Sequence, residues 1–238
     1  MRTVQTGPAV GLLGQFGLLA ELTVRGNLDA VGWLAGLGCA ALGYLALTRA
    51  LARRPGHQLG PADQVTLLRA VLVGGVAALA AGAGSRSALV TLAVVALILD
   101  AVDGQVARRT RTVSALGARF DLEVDAFLIL VLSCYLVGPV GGWVLAIGGA
   151  RYAFAVAGWL VPALREPSPP RYWCKVVAAI QGIVLTVAAA GVLPGRVAEL
   201  ALAGALALLA ESFGRQAWWL LRPAPQLVAP LARVASRI

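Results

Sequence analysis

The chain has 238 residues, of which 59% are hydrophobic and only 13% are charged, and its formal net charge is +9. A chain this apolar cannot present a water-soluble surface, so the composition excludes a soluble globular protein and indicates an integral membrane protein. The positive charge does not indicate nucleic-acid binding, because the basic residues lie mostly in short links between apolar runs. The only histidine, His57, lies in a polar link, which excludes a histidine-based metal site or triad.

Eight apolar stretches are long enough to cross a bilayer as helices, which takes roughly 20 residues each. They are residues 8–25, 28–48, 65–83, 87–107, 118–138, 142–163, 173–192 and 197–221. The pattern predicts an all-α integral membrane protein with about eight spans. Just before the third stretch, Pro61 precedes Asp63, a candidate helix N-cap.

The basic residues are distributed unevenly between alternate links, and this asymmetry predicts the orientation. One side of the membrane collects most of them, including Arg108 and Arg109, whereas the other side has only Arg25, Arg86 and Arg196. We therefore expect a multi-pass protein of the cell membrane, with both termini in the cytoplasm. The link "RRTRTVS" between the fourth and fifth stretches is expected on the same side.

Four aspartates interrupt the apolar pattern around that link. Asp100 and Asp103 are three positions apart, and Asp121 and Asp125 are four apart, so each pair occupies one face of a helix. A short link makes the two helices antiparallel neighbours, which lets the pairs face each other near one membrane surface. Four close carboxylates repel one another unless cations bind between them. Oxygen ligands alone select hard cations, Mg²⁺ first, with Mn²⁺ or Ca²⁺ as alternatives, and two carboxylate pairs suit two-metal phosphoryl chemistry.

The residues between the aspartate pairs support a ligand site. Gly104 follows Asp103, where a missing side chain lets a ligand approach the backbone. Arg108 and Arg109 can donate to phosphate oxygens. The competing interpretation is a buried salt-bridge network of the aspartates with these arginines; two spaced pairs flanking Gly and Arg disfavour it.

The stretch "DAVDGQVARRTRTVSALGARFDLEVD" resembles the signature of the CDP-alcohol phosphotransferase family at every fixed position and every gap. These positions are Asp100, Asp103, Gly104, Ala107, Arg108, Gly117, Asp121 and Asp125. Upstream, "PADQVTLLR" resembles the start of the family's first core helix, with Asp63 where Asn is usual, then Thr66 and Arg69. Downstream, "RYWCKVVAAIQ" loosely resembles a stretch of phosphatidylglycerophosphate synthases; it keeps Lys175 and Gln181 but lacks a second Lys and a Thr.

The resemblance implies a domain organisation. It covers roughly residues 57–221, which would form the family's six-helix core. Residues 1–56 would form an additional N-terminal transmembrane hairpin, and residues 222–238 a cytoplasmic C-terminal tail. The resemblance and the Gly- and Ala-rich helix faces also predict a homodimer.

The resemblance further implies a reaction in phospholipid biosynthesis. The enzyme would cleave the diphosphate of a CDP-alcohol, typically CDP-diacylglycerol, release CMP, and transfer the phospho-alcohol group to an acceptor hydroxyl. Asp100, Asp103 and Asp121 would bind two divalent cations, Mg²⁺ or Mn²⁺, with Asp125 as a further ligand and general base. The residues expected to make room for the nucleotide or to border its diphosphate are Asp63, Thr66, Gly104, Ala107, Arg108 and Gly117.

The acceptor is predicted from basic residues. Arg151 lies inside the sixth apolar stretch, which has no carboxylate, so we expect it to face a cytoplasm-open cavity and bind a phosphate on a polyol-phosphate acceptor. Arg119, Arg171 and Lys175 would close this basic pocket.

Other functions stay open at this stage. Ala126 follows Asp125 where phosphatidylglycerophosphate and phosphatidylinositol-phosphate synthases usually carry Lys or Arg, which leaves open a neutral alcohol acceptor or a soluble CDP-polyol donor. A carboxylate-lined cation transporter is the alternative from another class. The clustering of all four aspartates near one surface disfavours it.

Overall fold

The computed structural model describes residues 6–52, 60–82, 84–110, 115–161 and 172–221; within these ranges, side chains are described except for residues 6, 61–62, 103–110, 115 and 172. The described chain forms eight α-helices and contains no strand. They are α1 (Thr6–Val24), α2 (Ala30–Ala52), α3 (Pro61–Ala81), α4 (Arg86–Thr110), α5 (Ala115–Val140), α6 (Leu145–Leu160), α7 (Tyr172–Ala190) and α8 (Gly195–Leu221). A 3-10 turn, Gly142–Val144, leads into α6.

The predicted all-α membrane architecture is confirmed, with helix ends within several residues of the predicted spans. Six of the described helices are long and apolar enough to cross a membrane: α1, α2, α3, α6 together with the 3-10 turn that leads into it, α7 and α8. Helices α4 and α5 have 25 and 26 residues, so each is about 38 Å long and also of membrane-spanning length. These two helices carry the aspartates and their neighbouring basic residues.

Helix α3 lies at the centre of the packing, in contact with α1, α2, α4 and α5. Helix α5 packs in turn against α6 and α7, and α7 packs against α8. Small residues permit the close approaches: a Cβ on Gly32 of α2 would lie 2.8 Å from the Ala78 carbonyl oxygen of α3, and one on Gly74 would overlap the Gln15 amide of α1. The hairpin of α1 and α2 is thus packed directly on the helix that positions the site.

The first turn of α3 corrects one prediction. The helix begins at Pro61 with Gly60 as its N-cap, so Asp63 is a first-turn residue and not the N-cap itself. Proline at the first helical position has a favourable φ and no N–H to satisfy, which fixes the helix start there. Asp63 still caps the helix, because its carboxylate accepts a hydrogen bond of 2.9 Å from the Gly60 backbone N–H.

Candidate active site

Three aspartates from two helices converge at one end of the helix bundle. Asp100 comes from α4, and Asp121 and Asp125 come from α5; one carboxylate oxygen from each lies within 4.8 Å of the others. Their side chains are about one-third exposed. The predicted facing of α4 and α5 is therefore confirmed for these three residues. Asp103 lies on the same uninterrupted helix as Asp100, but its side chain lies outside the described residues.

A buried arginine from α3 lies among these aspartates. Arg69 is 1% exposed, and its guanidinium forms salt bridges with all three carboxylates: Nη1 contacts Asp100 at 2.9 Å and also Asp121, and Nη2 contacts Asp125. Its Nε donates to the Ala96 carbonyl oxygen of α4 at 3.2 Å. One guanidinium therefore holds three helices together and fixes the directions of the carboxylates.

Arg69 is the site residue that the sequence analysis missed. The sequence motif places it only as the last residue of the stretch that begins the first core helix. The sequence does carry a signal for it, because an arginine within an apolar helix is a functional candidate wherever it occurs.

The α3 face that carries Arg69 also carries two predicted ligand residues. Asp63, Thr66 and Arg69 are spaced at three-residue intervals, so they follow one face of the helix. Asp63 is 5% exposed and Thr66 4%. At about 1.5 Å rise per residue, this face extends about 9 Å from Arg69 to Asp63. The sequence prediction that α3 contributes to the site is consistent with this alignment.

Other predicted nucleotide-binding residues are described only in part. Gly104, Ala107 and Arg108 lie on α4, but their side-chain surroundings are outside the described residues. Gly117 lies on α5 near its first turn. Arg171 lies outside the described ranges altogether.

The expectation that Arg151 has no carboxylate in reach is wrong. Its guanidinium on α6 donates to Glu123 of α5, with Nη2 and Oε1 2.5 Å apart. The sixth stretch itself contains no acidic residue, and Glu123 comes from a neighbouring helix, so the sequence of the stretch does not reveal this partner.

Arg119 and Glu123 lie on a different face of α5 from the clustered aspartates. Both are two positions from Asp121, and two positions around an α-helix correspond to about 200°. By this geometry Arg119 and Glu123, the partner of Arg151, face away from the carboxylate cluster. The basic pocket predicted around Arg151 stays a prediction. Lys175 is exposed near the beginning of α7.

The carboxylate cluster fits a hard divalent cation. Its donors are carboxylate oxygens only, and they are close enough to share one ion. Arg69 balances only part of the negative charge of three ionised carboxylates, so the site still favours added cations.

An all-helical bundle of apolar helices, with an acidic cluster at one end that could hold a divalent cation, defines the class as a multi-pass membrane protein. The family model described as CDP-alcohol phosphatidyltransferase matches residues 59–211. The chain belongs to the CDP-alcohol phosphatidyltransferase family. No curated protein and no solved structure gave a match.

The family match confirms the predicted resemblance and the general activity. Helices α3 to α7, Arg69 and the three clustered aspartates all lie within the matched residues, whereas α1 and α2 lie before them. The protein is accordingly a transferase of the CDP-alcohol phosphotransferase type that works in a membrane.

Proposed function

We propose that the protein transfers the phosphatidyl group of CDP-diacylglycerol to a hydroxyl of a small polyol or polyol phosphate, with release of CMP. The observation that carries this proposal is the convergence of Asp100, Asp121 and Asp125 within the family-matched region. We place the reaction in phospholipid biosynthesis at the cell membrane, with the site facing the cytoplasm. The uneven distribution of basic links supports that orientation.

We propose that Asp100, Asp103 and Asp121 hold two divalent cations, Mg²⁺ or Mn²⁺, with Asp125 as a further ligand. Bound cations would neutralise the diphosphate and make CMP a better leaving group. In the reaction, the acceptor oxygen forms a bond to the phosphorus that bears diacylglycerol, and the bond from that phosphorus to the CMP oxygen breaks. The CMP oxygen keeps the electron pair, and an Asp125 carboxylate oxygen accepts the acceptor proton.

The proposed role of Arg69 is positioning. Its guanidinium contacts both Asp121 and Asp125, so it holds the proposed ligand and the proposed base at a fixed separation. Because it is almost fully buried, it has little freedom to turn toward substrate. Arg69 therefore acts through the carboxylates.

The donor is proposed to lie along the α3 and α4 faces next to the cluster. Thr66 and Asp63 extend the Arg69 face of α3, where they border the diphosphate. Gly104 and Ala107 would give space for the cytidine, and Arg108 and Gly117 would lie against the phosphates; the family match supports these roles.

We propose that Lys175 and Arg171 bind the acceptor. Arg119 and Arg151 are not proposed as acceptor-binding residues. Arg151 is paired with Glu123, and Arg119 lies on the far face of α5 from Asp121. We also propose a homodimer with one site per protomer, supported by the small-residue helix faces. Mass measurement of the detergent-solubilised protein at assay concentration tests this assembly, and a monomer alone would contradict it.

The decisive experiment measures CMP release by the purified full-length protein in vesicles that contain CDP-diacylglycerol. Acceptors are a panel of neutral polyols and polyol phosphates, each with Mg²⁺, Mn²⁺ or a chelator. We expect metal-dependent CMP release with a polyol or polyol phosphate, and none from Asp121→Asn.

Three outcomes would contradict parts of the proposal. Full turnover after exhaustive chelation would exclude the metal role. Activity only with a soluble CDP-polyol would exclude the lipid donor. Cation uptake into vesicles that CDP-lipid does not affect, with no CMP release, would favour a transporter.

A further inference from the structure

A cavity lies away from the aspartates. This partly open cavity of about 620 Å³ is lined by residues of α2, α3, α5 and α6. Its α5 wall includes Arg119, Phe120 and Glu123, and Tyr152 contributes from α6. This volume is within the range of roughly 300–1,000 Å³ that is typical of ligand sites. None of the three clustered aspartates lines it.

The cavity has the length of one leaflet of a bilayer. Its α2 wall extends from Cys39 to Ala50, and its α5 wall from Leu116 to Phe127. At 1.5 Å per residue each wall is about 16 Å long. Half of a hydrocarbon core of roughly 30 Å is about 15 Å. Both walls begin near the Leu116 end of α5, which is the end close to the aspartates. The cavity therefore runs along the helices through the leaflet on that side.

The N-terminal hairpin creates this space with small side chains. Gly43, Ala46 and Ala50 follow the cavity-facing side of α2, and the remaining wall is mostly apolar. A wide apolar slot between membrane helices cannot hold ordered water well, so an apolar chain is the favoured content. Because α2 precedes the family-matched residues, this wall is an addition to the core.

The charged residues that line the cavity favour an anion. Glu123 is neutralised by Arg151, at a separation of 2.5 Å. Arg119 lines the cavity, is exposed, and has no hydrogen-bond or ion-pair partner among the residues that the structure describes. It lies about one turn into α5, near the membrane surface on the aspartate side. A lipid phosphate at that level would pair with its guanidinium.

We propose that this cavity binds one acyl chain of an anionic phospholipid, whose phosphate pairs with Arg119. The lipid is resident: it is bound on the far side of α5 from Asp121 and Asp125, and it is not consumed in the transfer. The occupant is thus a diacyl phosphodiester lipid from the surrounding leaflet, held between the hairpin and the core. This inference does not depend on the identity of the donor or the acceptor.

The test measures lipid retained by the full-length protein after transfer from vesicles of phosphatidylcholine that contain phosphatidylglycerol. Native mass spectrometry and lipid extraction then identify the bound lipid. We expect wild-type protein to retain phosphatidylglycerol in preference to phosphatidylcholine. Ala46→Trp fills the slot and should lose the retained lipid. Ala41→Trp, on the exposed side of α2 and outside the cavity lining, is the matched control and should retain it.

A second variant tests the charge without filling the slot. Arg119→Gln should lower the preference for phosphatidylglycerol about tenfold, the effect of losing one charge-assisted hydrogen bond. Arg49→Gln, an exposed arginine in the last turn of α2, is its control and should keep the preference. Equal retention of both lipids by wild-type protein, or unchanged preference in Arg119→Gln, would overturn the proposal. Retention of the lipid by Ala46→Trp would also overturn the proposal. Conversion of the retained lipid to another product when an acceptor is added would overturn it too.

Discussion

Arg69 and Asp125 are 56 positions apart in the sequence, yet their side chains form a salt bridge between α3 and α5. The arginine is buried and the carboxylate is partly exposed, so the pair links the interior of the bundle to the site. The same guanidinium also contacts Asp100 of α4. One side chain therefore links three core helices.

Replacing Arg69 with Ala should destabilise the protein by about 3 kcal/mol, because three clustered carboxylates would lose a shared cation. Added Mn²⁺ should recover part of the lost thermal stability. Arg69→Lys keeps the charge but not the forked contacts, so it should retain more stability while losing most activity. Thermal unfolding in detergent, with and without Mn²⁺, measures this. Arg25→Ala is the control, since its salt bridge with Glu21 is exposed. An unchanged melting temperature in Arg69→Ala would contradict the linking role.

Replacing Asp121 with Asn should abolish CMP release while the protein stays folded. The remaining carboxylates, Asp100 and Asp125, still pair with Arg69. Removing one of three mutually repelling carboxylates should leave the metal-free melting temperature equal to or above that of wild type. Activity assays and melting curves in chelator measure the two effects. A large loss of metal-free stability would show that Asp121 is chiefly a structural partner of Arg69.

Replacing Gly74 with Val should loosen the contact between α1 and α3. A Cβ at this position would overlap the Gln15 amide, so overpacking should cost about 1–3 kcal/mol. Gln15→Ala should relieve much of this cost in the double variant, and a double-mutant cycle of melting measurements isolates the coupling. Gly17→Val is the control, because a Cβ there would meet no neighbouring atom within 4 Å. Additive effects of Gly74→Val and Gln15→Ala would contradict the direct contact.

Replacing Arg151 with Ala should leave the acceptor KM close to that of wild type. Arg151 is already paired with Glu123, on the side of α5 away from Asp121. Lys175→Ala should raise the acceptor KM when the acceptor carries a phosphate, with less effect on the donor. Steady-state kinetics with the best polyol phosphate measure both variants. A strong rise of the acceptor KM in Arg151→Ala would instead show that Arg151 helps to bind the acceptor.

The helices and the facing aspartates could be predicted because each signal lies within one helix or one hairpin. Apolar runs of membrane-spanning length set the helix count. The spacing of Asp121 and Asp125 predicts a common helix face, and a short link makes α4 and α5 neighbours, which brings Asp100 to that face.

The contacts of Arg69 and Arg151 could not be predicted in the same way. Arg69 reaches α5 across the bundle, and Arg151 reaches Glu123 on α5. Such pairs depend on how each helix is rotated about its axis relative to a neighbour. Periodicity along one chain does not specify that rotation when every helix is apolar on most sides.

The salt bridges of Arg69 also bear on how the chain enters the membrane during synthesis. Helices α4 and α5 are not among the six described helices that qualify for spanning by apolar composition, whereas α3, which carries Arg69, is. An isolated aspartate opposes membrane insertion of a helix, with a cost that reaches roughly 3 kcal/mol at the helix centre in insertion measurements. We expect α4 and α5 to insert together against an α3 that is already in the membrane. Their carboxylates then form salt bridges with Arg69. Glycosylation-site mapping of nascent chains measures this: Arg69→Leu should reduce insertion of the α4–α5 pair and leave insertion of α1 and α2 unchanged.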